Sequence, residues 1–139
     1  LLQRNKQKKL WITGHSLGGA MATLCASRLE EKEPSLYTYG SPRVGGQEFC
    51  DGMDVKHWRF VNNNDIVTKV PFWFMGYRHH GIEWYINYYG NVRDHTYWQR
   101  VKDSWRGRWK SIKKRQLFDG MYDHSITGYA DKLLKILRS

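Results

Sequence analysis

Apolar positions in the first part of the chain change from the period of a strand to the period of a helix. Residues 9–14 are largely apolar and end in a glycine turn, which predicts a short buried strand. The segment 17–29 has apolar side chains at helical spacing: Leu17, Ala20, Met21, Leu24, Cys25 and Leu29. Pro34 cannot continue that helix. The pattern therefore predicts a strand and a helix joined by a tight turn.

Strands and helices are predicted to alternate along the rest of the chain. Further strands are predicted at 35–40, 57–62 and 83–89, with a short helix at 45–53. A closing helix has one apolar face, formed by Ile126, Tyr129, Ala130, Leu133, Leu134 and Leu137, and Asp123 or Ser125 is placed to cap it. This alternation is typical of βαβ units. The predicted fold class is α/β, with a thin, mostly parallel sheet of three or four strands flanked by helices.

The composition fits one globular domain over residues 1–139. Of the 139 residues, 40% are hydrophobic and 15% aromatic, including seven tryptophans, which argues against a disordered chain. No apolar stretch approaches the about 18 residues that cross a bilayer, so no transmembrane helix is predicted. The two cysteines, Cys25 and Cys50, are too few for a disulfide scaffold and lack the spacing of metal ligands.

Positive charge is concentrated in one segment of the second half. The net charge is +10, and residues 100–115 carry eight Lys and Arg residues against one acidic residue. Five apolar side chains in and around this segment recur at spacings of three and four: Trp98, Val101, Trp105, Trp109 and Ile112. The segment therefore predicts an amphipathic helix with an aromatic face and a basic face.

Three interpretations of this helix stay open. In the one we favour, its tryptophan face packs on the sheet and its charges are solvated. In the second, the helix lies in an anionic membrane or lipid surface through Trp98, Trp105, Trp109, Lys110, Lys113 and Lys114. Nucleic-acid binding is the least favoured, because the charge forms a single stripe and not a broad basic surface.

The turn between the first strand and the first helix matches the pattern of a nucleophile elbow. Residues 14–18 (GHSLG) fit G-x-S-x-G in the required strand–turn–helix context. A side chain in place of Gly14 or Gly18 is expected to crowd the neighbouring strand or helix. The turn would expose the Ser16 hydroxyl and place the Leu17 N–H at the positive end of the helix, where an oxyanion would form. An ordinary glycine-rich turn is the alternative.

A serine nucleophile needs a general base and an orienting acid, which follow the serine along the chain in this fold. We predict Asp65 as the acid, because it follows strand 57–62 in a polar turn, where open parallel sheets place their sites. Its neighbours Ile66 and Val67 are expected to shield it from water. A turn-forming role is the alternative for Asp65. The other aspartates considered are less well placed along the chain: Asp51, Asp54, Asp94 and Asp103.

His124 is the predicted general base. It lies after the last predicted strand and directly before the closing helix. A helix-start residue next to Asp123 is its alternative interpretation. The remaining histidines are interpreted as structural or solvated: His15, His57, His79, His80 and His95.

Five sequence blocks around these residues resemble the class 3 lipase family, the fungal-type triacylglycerol lipases of the α/β-hydrolase fold. The blocks are 13–20 (TGHSLGGA), 37–45 (YTYGSPRVG), 59–67 (RFVNNNDIV) with Pro71, 77–83 (YRHHGIE), and 123–125 (DHS) ahead of Tyr129. They occur in the family's order over most of the chain. By this resemblance, the chain is similar to the C-terminal part of an α/β-hydrolase.

The resemblance implies a site and an activity. It implies Ser16 as nucleophile, Asp65 as orienting acid and His124 as general base, with the Leu17 N–H in the oxyanion hole. It also implies hydrolysis of carboxylic esters, typically acylglycerols, without a metal or another cofactor. The substrate would be a lipid or a small ester, and short-chain esterase, phospholipase and acyltransferase activities stay open.

The family's N-terminal half has no counterpart in this sequence, which starts at Leu1. That half carries the first strands, the lid and the second oxyanion donor of the family. We therefore expect an N-terminally truncated member, with any targeting signal absent from this chain. The rival interpretation is a non-catalytic basic module on the same fold, which binds a membrane surface or another anion.

Overall fold

The sheet has parallel strands in the order of the sequence. The structure, a computed structural model, describes residues 9–63, 65–87, 92–93 and 123–138. Within these ranges one sheet runs in the order β1 (Trp11–His15), β2 (Ser35–Tyr39), β3 (Lys56–Asn62), β4 (Ile82–Ile86) and β5 (Val92–Arg93). Strands β1 to β4 are parallel, and β5 is antiparallel to β4. Because successive parallel strands are neighbours, the loops after them converge at one edge of the sheet.

Three helices accompany the strands in the described ranges: α1 (Leu17–Ser27), α2 (Gln47–Gly52) and α3 (Ile126–Leu137). Short 3₁₀ turns lie at Glu30–Lys32, Val67–Lys69 and Trp73–Met75. None of the helices in the described part of the chain is long and apolar enough to cross a bilayer. The amphipathic helix predicted around Trp98, Trp105, Trp109, Lys110, Lys113 and Lys114 lies outside the described residues.

Within the described residues, the order and type of the predicted strands and helices are confirmed, with two corrections to the sheet. The sheet has five strands within the described ranges where three or four were expected, because the two-residue β5 is too short to give a periodic pattern. Strand β1 was expected to be buried, but Trp11 is 62% exposed. Its indole stacks on the ring of the neighbouring Tyr37, with the ring centroids 5.4 Å apart.

Helix α1 packs on the sheet through its small residues, not its large ones. Its buried residues are Gly19, Ala22, Thr23 and Ala26. The larger apolar side chains of the predicted core face are exposed instead, Leu17 at 69% and Met21 at 64%. The approach is too close for large side chains, since a Cβ added at Gly19 would lie 2.8 Å from the Ser41 Cβ. Helical periodicity identified the helix correctly and its buried face wrongly.

The two faces of the sheet differ in chemistry. One face builds a core with α1 and α2 from Ala22, Ala26, Leu36, Met53 and Val55, with Ile12 and Phe49 against it. The other face carries rings stacked from strand to strand, with Tyr37 on Trp58 at 4.9 Å and Tyr39 on Phe60 at 5.0 Å. Aromatic pairs at such distances contribute about 0.5–1.5 kcal/mol each beyond the area they bury. The rigid sheet they help to build fixes where the loops at its edge begin.

Helix α3 begins at the edge of the sheet where the loops after the parallel strands converge, and its first turn anchors it there. Ser125 is the N-cap, and its hydroxyl accepts the Gly128 N–H at 3.0 Å, so the capping prediction is confirmed for Ser125. Of the predicted apolar face, Tyr129 is buried, whereas Ile126 and Leu137 are exposed. The helix is therefore held mainly at the end that carries Tyr129.

Candidate active site

Three loops at the carboxyl ends of neighbouring strands bring the predicted site residues together. Ser16 follows β1, Gly40 follows β2, and Asp65 lies three residues after the end of β3. His124 reaches the same place from the segment that precedes α3. Open parallel sheets place their sites at this edge, because the strand ends leave a crevice there.

The turn at Ser16 has the strained backbone of a nucleophile elbow. Ser16 has φ 57° and ψ −129°, a conformation that costs a non-glycine residue about 1–3 kcal/mol. A Cβ at Gly14 would lie 2.2 Å from the Gly18 carbonyl oxygen, so glycine is required there. A Cβ at Gly18 would meet nothing within 4 Å, so the expectation of crowding at that position is wrong. The Ser16 N–H donates to the Tyr39 carbonyl at 3.0 Å, which ties the turn to β2.

A continuous hydrogen-bond chain joins the three predicted residues. His124 Nε2 lies 2.7 Å from Ser16 Oγ, and His124 Nδ1 lies 3.0 Å from both carboxylate oxygens of Asp65. In the neutral imidazole one ring nitrogen donates and the other accepts. We therefore assign the Nδ1–H to Asp65 and the hydroxyl proton of Ser16 to Nε2. The serine is thus hydrogen-bonded to a base whose tautomer the carboxylate fixes.

Asp65 is fully buried, and each of its oxygens has a second donor. The Tyr129 hydroxyl donates to Oδ2 at 2.7 Å, and the Val67 N–H donates to Oδ1 at 2.9 Å. Burial and the adjacent carboxylate raise the pKa of Tyr129, so its hydroxyl stays a donor. Asp65 is fully shielded from water, although Ile66, one of the two neighbours expected to shield it, is itself 47% exposed. These donors stabilise the buried carboxylate, because a buried charge without hydrogen-bond partners would be costly.

Three supporting residues were not predicted from the sequence. The hydroxyl of Tyr129 also accepts the Asn62 N–H at 2.9 Å, so it links the end of β3 to Asp65. The side chain of Asn62 donates to the Asp123 carbonyl at 2.8 Å. His15 Nε2 donates to the His124 carbonyl at 2.7 Å, and the two imidazoles stack at 4.8 Å. Together these contacts hold the backbone on both sides of His124.

Gly40 makes room for the contact between the acid and the base. Its φ is +58°, and a Cβ there would lie 2.6 Å from Asp65 Oδ2 and 3.1 Å from His124 Nδ1. Any side chain at this position would push the carboxylate and the imidazole apart. A glycine as the last residue of the predicted strand 35–40 is the sequence signal for this role.

Leu17 is the residue predicted to supply the oxyanion-hole N–H. It follows Ser16 and is the first residue of α1, so its N–H has no acceptor within the helix. The positive end of the helix dipole lies at the same point. An N–H at a helix start next to the nucleophile can stabilise a negatively charged oxygen.

The other candidate acids and bases lie elsewhere. Asp51 lies in α2, and Asp54 is an exposed residue just before β3. Asp94, Asp103 and His95 lie outside the described residues. His57, His79 and His80 form a separate cluster, in which burial lowers the pKa of both His57 and His79 to about 3. These three histidines have no contact with Ser16 among the hydrogen bonds of the described residues.

Comparison with known proteins identifies the family. A family model described as Lipase (class 3) matches residues 1–75. Secreted mono- and diacylglycerol lipase A from Penicillium cyclopium is 38% identical over 91 residues, which is 62% of this chain and 30% of that protein. The Rhizomucor miehei lipase, solved as a propeptide complex, is 38% identical with a TM-score of 0.58, over 66% of this chain and 33% of that chain.

A third match concerns the catalytic centre of a relative. The solved structure of a triacylglycerol lipase, described as having a serine protease triad as its catalytic centre, is 40% identical with a TM-score of 0.55. The match covers 61% of this chain and 37% of that one. This chain thus spans about a third of the length of the relatives it matches. Its sheet, with helices on the flanks, is part of the α/β-hydrolase fold of these lipases, and the chain belongs to the class 3 lipase family.

Proposed function

We propose that this protein hydrolyses carboxylic esters of lipids through an acyl-enzyme formed on Ser16. The observation that carries the proposal is the hydrogen-bond chain Ser16–His124–Asp65, with distances of 2.7 Å and 3.0 Å. These distances lie within the range over which a base can take the proton of a nucleophile. The fixed tautomer and the buried carboxylate are what a serine nucleophile needs for activation.

The first half of the reaction transfers the acyl group to the serine. Ser16 Oγ attacks the ester carbonyl carbon while its proton passes to His124 Nε2. The Asp65 carboxylate stabilises the imidazolium, and the Leu17 N–H donates to the oxyanion. When the C–O bond of the ester breaks, His124 gives its proton to the departing alcohol oxygen. The acyl group stays on Ser16.

The second half releases the acid. Water attacks the acyl carbonyl carbon and loses its proton to His124 Nε2, so the same oxyanion position is used again. Collapse of this intermediate breaks the bond to Ser16 Oγ and returns the proton to the serine. The products are a carboxylic acid and an alcohol, and no metal or cofactor takes part in any step.

Acylglycerols are the substrate class that we propose. The relatives include a mono- and diacylglycerol lipase and a triacylglycerol lipase. The rival hypothesis from the sequence, a non-catalytic basic module, has no need for an orienting carboxylate behind the Ser16–His124 pair. The buried Asp65, with four hydrogen-bonding contacts, favours the hydrolase.

The test is hydrolysis of a triacylglycerol emulsion and of a soluble p-nitrophenyl ester by the whole protein. Ser16→Ala and His124→Ala are each expected to lower kcat by at least about 10⁴-fold. Met21→Ala, which truncates an exposed side chain of α1, serves as the control and should keep full activity. A folded wild type that cleaves neither ester, or a Ser16→Ala variant of normal activity, would contradict the proposal.

A further inference from the structure

Four consecutive large apolar side chains are exposed in a turn that the hydrolytic mechanism does not use. We call residues 72–75 the aromatic turn. Phe72 is 48% exposed, Trp73 66%, Phe74 69% and Met75 58%. Single exposed apolar residues are ordinary on protein surfaces, but a contiguous exposed group is typical of an interaction surface.

The aromatic turn is held in shape by its own contacts. The Met75 N–H donates to the Phe72 carbonyl at 3.0 Å, and Phe72 stacks on Phe74 at 5.3 Å and 8°. Trp73 packs edge-on against Phe74 at 6.2 Å. The Arg78 guanidinium donates to the Trp73 carbonyl at 2.7 Å. A partner that receives these side chains therefore has little conformational entropy to remove.

Cationic side chains surround the base of the aromatic turn. Arg43 donates to the Pro71 carbonyl at 2.9 Å and also to the Lys69 carbonyl. The side chain of Lys69 is exposed, and Arg78 holds the other side of the turn. Two acids lie on the nearby α2, Glu48 and Asp51, and Asp51 accepts a hydrogen bond from Gln47. An apolar tip above a mainly basic base has the chemistry of a surface that docks on anionic lipid.

The aromatic turn continues the segment that carries the acid of the site. Asp65 starts this segment, Val67–Lys69 forms its first 3₁₀ turn, and the aromatic turn follows after Pro71. Arg43, which holds residues 69–71 in place, lies three residues after Gly40 at the site edge. A short, hydrogen-bonded segment therefore joins the aromatic turn to the site.

We propose that the aromatic turn inserts Phe72, Trp73 and Phe74 into an anionic lipid surface and docks the protein there. Aromatic side chains favour the interface between lipid headgroups and acyl chains, and basic residues add attraction to anionic lipid. The net charge of +10 acts in the same direction. The inference rests on the proposed function only in that a lipid ester substrate is contained in such a surface.

The test measures binding apart from hydrolysis. In the Ser16→Ala background, co-sedimentation is measured with phosphatidylcholine vesicles, with and without phosphatidylglycerol. The double variant Trp73→Ala/Phe74→Ala should lower partitioning onto anionic vesicles by at least about 10-fold, since it removes most of the inserted area. Lys69→Gln should lower it about 5-fold on anionic vesicles only. Trp11→Ala is the matched control, because Trp11 is 62% exposed, and it should bind as the parent does.

The alternatives give distinct results. Unchanged partitioning of the double variant, or an equal loss in Trp11→Ala, would overturn the proposal. So would sedimentation velocity that shows a dimer which the double variant abolishes, because the turn would then receive a second copy of this chain. Cleavage of a soluble ester by the double variant with Ser16 restored is expected at the wild-type rate. Intact vesicle binding without any ester cleavage would refute the proposed function and leave the docking surface standing.

Discussion

Two imidazole–hydroxyl pairs occur among the residues that the structure describes, and one of them is equipped to activate a nucleophile. His124 Nε2 lies 2.7 Å from Ser16 Oγ, and His57 Nε2 lies 2.8 Å from Thr38 Oγ1. Each imidazole also stacks on a second histidine, His15 in one case and His80 in the other. By these contacts alone the two pairs are nearly the same.

The difference lies at the other ring nitrogen and in access to solvent. His124 Nδ1 faces the Asp65 carboxylate, whereas His57 Nδ1 lies 3.2 Å from the neutral His80. His124 is partly exposed at the sheet edge, with 19% of its side chain accessible. His57 is buried on the face covered by α1, and burial with the nearby His80 and Arg59 lowers its pKa to about 3. A base must hold a proton transiently, and only the pair with a carboxylate can stabilise that charge.

Removing the hydroxyl from each pair gives the largest contrast. Ser16→Ala should lower kcat for ester hydrolysis by about 10⁶-fold, because no acyl-enzyme can form. Thr38→Val should leave kcat within about 3-fold. It should instead lower the free energy of unfolding by about 1–3 kcal/mol, since it leaves the buried His57 Nε2 without a donor. Steady-state kinetics and urea unfolding measure both effects, and a rate loss in Thr38→Val like that of Ser16→Ala would remove the distinction.

Replacing the carboxylate tests what makes the first pair different. Asp65→Asn should lower kcat by about 10⁴-fold, because an amide can donate to His124 Nδ1 and stabilise the wrong tautomer. Asp54→Asn, at an exposed site before β3, should change nothing. Circular dichroism establishes that each variant is folded. Activity of Asp65→Asn within 10-fold of wild type would mean that the carboxylate is not what separates the two pairs.

The two buried histidines His57 and His79 should make the free energy of unfolding depend on pH under acidic conditions. Burial lowers the pKa of His57 and His79 to about 3, below the unfolded value of 6.5. Between these values the unfolded chain binds more protons, so each histidine lowers the free energy of unfolding by about 1.4 kcal/mol per pH unit as the pH falls. His79→Gln should flatten the slope by that amount. Urea unfolding between pH 7 and pH 4 measures it, and an unchanged slope would contradict the assignment.

The smallest predicted effect is that of the donor behind the acid. Tyr129→Phe removes the hydroxyl that donates to Asp65 Oδ2 and accepts the Asn62 N–H. We expect kcat to fall about 10-fold with little change in KM, since the hydrogen bond positions a residue that does not touch substrate. Tyr37→Phe, on the aromatic face of the sheet, is the control. A change confined to KM would argue against a positioning role.

The sequence was sufficient to predict that Ser16, His124 and Asp65 lie together. The G-x-S-x-G turn, the polar turn after β3 and the residue before α3 are local signals, and the parallel order of the strands predicts that they converge. The same signals say nothing about Thr38 and His57, which lie in neighbouring strands and meet only through the register of β2 and β3. Their contact depends on strand pairing and not on local pattern.

The contacts that support the acid could not be predicted from local sequence pattern either, because they too join distant parts of the chain. Tyr129 and Asp65 are 64 positions apart, and their contact depends on how the first turn of α3 docks at the sheet edge. The periodicity of α1 identified a helix, but small residues at Gly19 and Ala22 set the packing distance and so the buried face. A helical pattern gives the spacing of side chains, whereas the partner surface decides which of them are buried.

The most direct test of the account is labelling with a fluorophosphonate, read by intact mass and peptide mapping. This reagent forms a covalent bond with an activated serine hydroxyl. We predict one adduct on the wild type, located in the peptide that contains Ser16, and the same adduct on Thr38→Val. Ser16→Ala should carry none. Absence of an adduct on the folded wild type, or an adduct on Ser16→Ala formed at the wild-type rate, would contradict the claim that Ser16 is the activated nucleophile.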